Sequence, residues 1–304
     1  MTFQIQPLTC DPSTLTDLSE KLIVSHYENN YGGAVKRLNS IRAQLAQLDW
    51  EQEPSFVING LKREEVIAAN SALLHELYFD SLAGNGALRP GGLSVAFGRD
   101  FGAFECWQSE FMALAKAMGG GSGWALCSWS SRESRLINHW AADHTQLLGA
   151  ATPILALDMY EHAYHLDYGA NAAAYVEAFM RNIAWDKVSE RYNVAVEHDT
   201  AHWGIANTDV LSAAADVLVL DVRRAGAFQA APDLIANATW KDPEHVEDWA
   251  AALPPAQPVV VYCVYGHEVS QSTTAILRSK GIDAQYLKGG IAAWKTAGLP
   301  LQKK

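Results

Sequence analysis

The stretch Asp158-Met-Tyr-Glu-His162 constrains this chain more than any other. An apolar run, Pro153-Ile-Leu-Ala-Leu157, leads into it, and a carboxylate and an imidazole follow, four residues apart. Carboxylate oxygen and neutral imidazole nitrogen together suit iron, manganese or zinc. Taken alone, the pair also fits a hydrogen-bonded surface pair.

Composition narrows the classes. A chain of 304 residues suggests two domains. An apolar content of 49% is ample for sizeable cores. The net charge of −11 argues against nucleic acid or anionic membrane as a partner, since both need a basic footprint. Cys10, Cys106, Cys127 and Cys263 show no metal-binding spacing and make no disulfide framework. The N-terminus lacks a basic region followed by an apolar one, and no apolar run approaches the ~18 residues of a membrane span. The expected setting is a reducing compartment, the cytoplasm.

Residues 13–48 read as helix, with Ser13 and Thr16 as N-cap candidates and a kink or break expected at Gly32-Gly33. His26 lies on this helix. Residues 50–62, with Pro54 and Asn59-Gly60, read as a linker, and a second helix carrying His75 is expected at about 63–83. A lone histidine on an apolar helix face is ordinarily a hydrogen-bonded core residue. The loop at 84–92 reads as a subdomain boundary, and Phe97 to Met118 as helix. Segments starting at Ala125, at Leu136 and at Ile154 suggest a small antiparallel sheet. Tyr175 to Tyr192 reads as a closing helix. Residues 196–209 read as a solvated hinge, although His198 and His202 stand four apart.

A second pattern begins at Val217. Val217 to Val222 and Pro258 to Cys263 are near-continuous β-branched runs, as in parallel strands covered on both faces. Ser270 to Lys280 reads as helix, and Ala284 to Leu287 as strand. Alternation of this kind indicates an α/β domain.

Asp158 to Tyr168 resembles the signature of iron/manganese superoxide dismutases, Asp-x-Trp-x-His followed by Ala-Tyr-Tyr. His26 and His75 fall where that family places its other ligands. Gly121-Ser-Gly-Trp124 and Asn182-Ile-Ala-Trp185 resemble further dismutase segments. The resemblance implies an N-terminal helical hairpin at 1–90, an α+β metal-binding domain at 91–195 and a linker at 196–207. It also implies one iron or manganese ion per chain, held by His26, His75, Asp158 and His162, with superoxide as substrate.

Around the ion, the resemblance implies apolar walls from Trp124 and Tyr160, the latter where the signature has Trp. Ser71 stands at one usual Gln position, while Asp143-His144-Thr145 resembles the stretch of dismutases that use histidine. His144 is thereby assigned to the metal-bound solvent. Glu161 and Tyr164 match residues that carry cross-subunit hydrogen bonds, which implies a homodimer. Several positions depart from the pattern. The gateway tyrosine is Ala34, and a common histidine is Asn30, for which Tyr31 is a partial substitute. Small residues replace basic ones near the entrance, leaving Lys36 and Arg37 to attract an anion. A slow dismutase is expected.

Asp221-Val-Arg223, the Cys263 loop and Leu287-Lys-Gly-Gly-Ile-Ala-Ala-Trp294 resemble a single rhodanese domain, placed at 208–304. The resemblance implies a nucleophilic Cys263, cradled by a loop containing Gly266 and His267 and supported by Asp221. Where active rhodaneses commonly carry Arg, this chain has Glu268, which opposes thiosulfate. The thiol is expected to be accessible, with a persulfide or thiol partner as donor or acceptor. The first reading is a dismutase fused to a rhodanese-like module. The alternative is a dismutase-fold metal protein with little dismutation, acting mainly in sulfur transfer, thiol sensing or interaction.

Overall fold

The structure, a computed structural model, describes residues 2–212, 217–254 and 257–304. Helix α1 (Glu20–Ser25) starts at Ser19, whose side chain accepts the Leu22 N–H. The chain then stays helical through the two glycines. The expected kink is instead a π-helical segment, His26–Tyr31, running directly into α2 (Gly32–Leu45). Such widened turns are rare and concentrate at functional sites. This one is anchored by Tyr31, whose hydroxyl donates to Glu76 Oε1 (2.6 Å) and accepts the Gln6 N–H (2.7 Å).

Helix α3 (Ser55–Asp80) starts before the expected 63–83 span and takes in Asn59 and Gly60, read from sequence as linker. Pro54, which has no N–H to leave unpaired, stands just before it. An interior glycine costs about 1 kcal/mol relative to alanine. Leu38, Ile41 and Leu45 of α2 pack on Ala68 of α3 and offset that cost.

The single helix expected over 97–118 is two, α4 (Gly92–Phe101) and α5 (Phe104–Ala117), because Gly102 takes φ +85° between them. Strands β1 (Trp124–Ser130), β2 (Arg135–Ala141) and β3 (Ala151–Asp158) form the antiparallel sheet in the order β2-β1-β3. Trp124 pairs in register with Asp158, so both stand at the same end of the sheet. The short α6 (His165–Tyr168) follows, then α7 (Ala172–Arg181) and α8 (Trp185–Thr200). Asn182 breaks what the sequence suggested as one closing helix. Its side chain accepts the Thr16 N–H and donates to the carbonyls of Thr16 and Ala178.

The second half comprises β4 (Gly204–Ile205), α9 (Asn207–Ser212), β5 (Leu218–Asp221), α10 (Ala225–Ala230), β6 (Asp233–Ile235), β7 (Thr239–Trp240) and α11 (Val246–Ala250). It continues with β8 (Val259–Tyr262), α12 (Glu268–Ser279), β9 (Ala284–Leu287), α13 (Gly290–Thr296) and β10 (Leu301–Lys303). Five strands form a parallel sheet, β4-β9-β8-β5-β7, and β10 pairs with β6 separately. Alternate residues of β8 feed two apolar clusters: Val259 and Val261 one, Val260 and Tyr262 the other. Both faces of the sheet are therefore covered, as its continuous apolar strands require.

The hinge read at 196–209 is instead regular structure. Residues 196–200 are the end of α8, Ala201–Trp203 is a 3-10 turn, and β4 is one of the two edge strands of the parallel sheet. His198 and His202 are both exposed. Helix α8 packs along α12, and Ala275 of α12 belongs to the apolar core of the first half. Among the described residues no helix is long and apolar enough to cross a membrane.

Candidate metal centre

His26 opens the π segment, His75 sits near the end of α3, Asp158 ends β3, and His162 follows in the 3-10 turn Glu161–Ala163. The fold brings these four residues together, with one ligand-type atom from each lying within 4.8 Å of the others. His26, His75 and Asp158 are buried, and the His162 side chain is 29% exposed. Asp158 Oδ2 is the hub: the Nε2 atoms of His26, His162 and His75 lie 3.1, 3.2 and 3.5 Å from it. Its other oxygen accepts the Tyr160 N–H at 2.8 Å.

Protonation follows from this geometry. His75 Nδ1 lies 2.6 Å from the Ser71 carbonyl, which only accepts, so Nδ1 carries the proton. Burial holds the His75 pKa down to about 3, so the ring is neutral and Nε2 presents a lone pair. That nitrogen is buried with no hydrogen-bond partner. It therefore faces a carboxylate oxygen, acceptor against acceptor, a contact that a cation between them makes favourable. Burial would push Asp158 up, but hydrogen bonds and charge from His162 and His26 hold its carboxyl well below the usual carboxylate range. Burial also lowers His26. Three imidazoles and one anionic oxygen suit iron or manganese.

The surroundings are aromatic. Tyr160 lies between His144 and His162, stacked at 5.1 and 5.4 Å, both at 15°. Burial and the Asp158 charge push its phenol up to about 12. Trp124 is fully buried, edge-on to His75 at 5.2 Å. Its indole N–H donates to His144 Nδ1 at 2.9 Å, and Asn70 Nδ2 donates to the His144 carbonyl at 2.5 Å. His144 lies 6.2 Å from the His75 ring, and burial lowers its pKa.

Glu161 is exposed beside His162. Tyr164 is buried in the single chain and stacked on Tyr175. Ala34 is buried in the core, and Tyr31 lies 6.5 Å from the His75 ring. Arg37 pairs with Glu64, which cancels much of its pull on an anion. The Ser71 carbonyl, the Trp124 bond and Asn70 escaped sequence reasoning, because each partner is set by helix register or by long-range packing.

At the other site, Cys263 follows β8. Its sulfur accepts the Ser270 hydroxyl at 3.2 Å, and its carbonyl accepts the Ile291 N–H at 3.0 Å. Gly266 takes φ +74°, and a Cβ there would overlap the Leu287 carbonyl and the Gly289 N–H, so the tight loop requires glycine. Asp221 is fully buried, salt-bridged to Arg223 at 2.5 Å and hydrogen-bonded by Tyr262 at 2.9 Å, and it braces β5 against β8. His267 is exposed, with its ring 5.9 Å from that of Tyr265. The expectation of an accessible thiol does not hold: Cys263 is only 6% exposed, and the exposed cysteine is Cys106. Nor does Glu268 hang free at the loop. It is half-buried against Gly92 of α4.

A helical hairpin, a three-stranded antiparallel sheet and a His3Asp cluster, followed by a parallel-sheet cysteine domain, define a metalloprotein with a second, thiol-bearing module. The family model for the C-terminal domain of iron/manganese superoxide dismutases matches residues 89–191, and that for the rhodanese-like domain matches residues 207–297. An iron superoxide dismutase of Cupriavidus metallidurans is 61% identical over 196 residues, covering 64% of this chain and 99% of that protein. A manganese superoxide dismutase of Haloferax volcanii is 32% identical over 200 residues, 65% of this chain and 98% of that one. The iron enzyme of Aquifex aeolicus is 33% identical over 193 residues, 61% and 89% respectively. The chain belongs to the iron/manganese superoxide dismutase family, and it carries a rhodanese-like domain behind the dismutase part.

Proposed function

We propose that this protein is a superoxide dismutase with one iron or manganese ion per chain, held by His26, His75, Asp158 and His162. The observation that carries the assignment is the partnerless His75 Nε2 facing Asp158 Oδ2 at 3.5 Å in a buried cluster. An ion held there would supply the alternation between +2 and +3 states on which disproportionation of two superoxide anions and two protons to dioxygen and hydrogen peroxide depends. Asp158 contributes the one protein negative charge of the set. Ser71 fixes the His75 tautomer through its carbonyl. Tyr160 and Trp124 exclude water from one side. His144 keeps its proton on Nε2, because Nδ1 already accepts from Trp124, and so retains a donor.

Turnover is slower than the ~10⁹ M⁻¹s⁻¹ diffusional ceiling, since Ala34 and the paired Arg37 leave gate and funnel incomplete. The test is metal analysis of protein purified from its native host, paired with a dismutation assay on the same sample. Stoichiometric iron or manganese with a sub-ceiling rate supports the reading; a metal-free or zinc-filled active sample refutes it.

We further infer a homodimer through the dismutase part, with exposed Glu161 beside His162 at the interface, and a cytoplasmic setting consistent with four unpaired cysteines. For the rhodanese-like domain, the Ser270-bonded Cys263 supports a sulfur carrier. Persulfide or thiol partners fit it better than thiosulfate, a dianion that the acidic chain repels.

A further inference from the structure

Helix α4 has a glycine at its first position and another in its interior, although glycine weakens helices. Carboxylate side chains from the rhodanese-like domain fill the space at both. A Cβ on Gly92 would overlap Glu268 Cγ and Oε1, and a Cβ on Gly98 would lie 2.9 Å from Glu244 Oε2. The next residue, Arg99, is buried and donates to Ser272 Oγ of α12 at 3.1 Å while salt-bridged to Asp100 at 2.6 Å. Further along α12, Ala275 enters the dismutase core and Arg278 lies over Trp203 at 5.2 Å.

Glu268 is also the first residue of α12, five residues after Cys263. The same helix gives Ser270 to the Cys263 sulfur on one side and Ser272 to Arg99 on the other. A carboxylate at the amino end of α4 meets a favourable partial charge as well as a shaped seat. Glu268, the residue that follows the Cys263 loop, is thus tied to a helix of the other domain, and the thiol is almost closed to solvent although Tyr265 and His267 of the loop are exposed.

We propose that α4 of the dismutase domain is a built-in docking site for the rhodanese-like domain, and that the seating of Glu268 on Gly92 holds the Cys263 loop shut. Glu268 is a positioning residue in this arrangement. Its carboxylate anchors the start of α12 to the neighbouring domain, and access of a small thiol or persulfide to Cys263 requires that seat to open. The inference does not depend on the metal assignment.

The test uses the full chain and iodoacetamide, with peptide mapping and exposed Cys106 as the internal reference. Glu268→Ala empties the seat and Gly92→Ala fills it. Each is expected to raise the Cys263 labelling rate ~10-fold or more by favouring local opening, with Cys106 unchanged. The double variant is expected to add nothing beyond the larger single effect, and Glu268→Gln, which keeps the side-chain shape, to stay within about twofold of wild type. Unchanged Cys263 labelling in both alanine variants overturns the proposal. So does a parallel rise at buried Cys127, which reports general loosening, or a Glu268→Gln variant that labels like Glu268→Ala.

Discussion

Trp124 Nε1 donates to His144 Nδ1 across 2.9 Å, joining the first residue of β1 to a loop that lies outside the sheet. Indole nitrogen only donates, so this one bond decides which imidazole nitrogen keeps the proton. Trp124→Phe removes the donor while keeping an aromatic wall. Dismutation is expected to fall ~10-fold or more with metal content retained, as for other groups that orient a metal site from outside the ligand set. A rate assay with elemental analysis checks it; an unchanged rate would show that His144 needs no such orientation.

The Arg37–Glu64 pair lies on the exposed faces of α2 and α3. Freeing Arg37 by Glu64→Gln is expected to raise the rate at low ionic strength by a small part of the ~10-fold that a full cationic funnel gives. The gain should vanish in high salt, where exposed charges are screened. Comparing rates across a salt series is the check. Ala34→Tyr is a poorer probe than the sequence suggests, because Ala34 is buried and a phenol there would overpack the core.

Arg99 and Asp100 are a buried pair, 2% and 4% exposed, where the domains meet. Arg99→Met leaves Asp100 without its cation and is expected to cost about 3–5 kcal/mol. The added substitution Asp100→Asn is expected to recover part of that loss. Denaturant unfolding measures both, and a single-variant cost below about 1 kcal/mol would mean that the pair is not needed for stability.

Glu161 is exposed in the single chain, one residue before His162. If it reaches the partner subunit, Glu161→Ala should weaken dimerisation at least ~10-fold, the scale of losing one member of an interfacial charged hydrogen bond. Light scattering across a dilution series reads this directly. A monomeric wild type would remove the basis of the prediction.

Much of the site was legible because chemistry was written locally. Asp158 and His162 sit in one short motif after an apolar strand, and the structure puts that motif where strand turns into 3-10 helix. His26 and His75 were not legible by themselves, since a histidine on an apolar helix face has the same pattern whether it binds metal or a neighbour. Only their order relative to the motif singled them out. The break at Asn182 was hidden because its side chain is satisfied by Thr16, 166 residues away. The regular structure at 196–209 is hidden for a related reason: α8 packs against α12, which lies far along the chain, and β4 is only two residues long. The burial of Cys263 is not legible in the sequence, because it depends on packing in its own domain, with Ser270 donating to the sulfur and Ile291 to the carbonyl.

If His26, His75, Asp158 and His162 hold the ion, Asp158, the hub of the cluster and its one anion, is the residue the ion can least do without. Asp158→Ala, purified from the native host and analysed for iron and manganese beside wild type, tests it most directly. The expected result is a folded variant, with wild-type circular dichroism, that has lost both its metal and its dismutation. A variant that keeps full metal content would contradict the assignment.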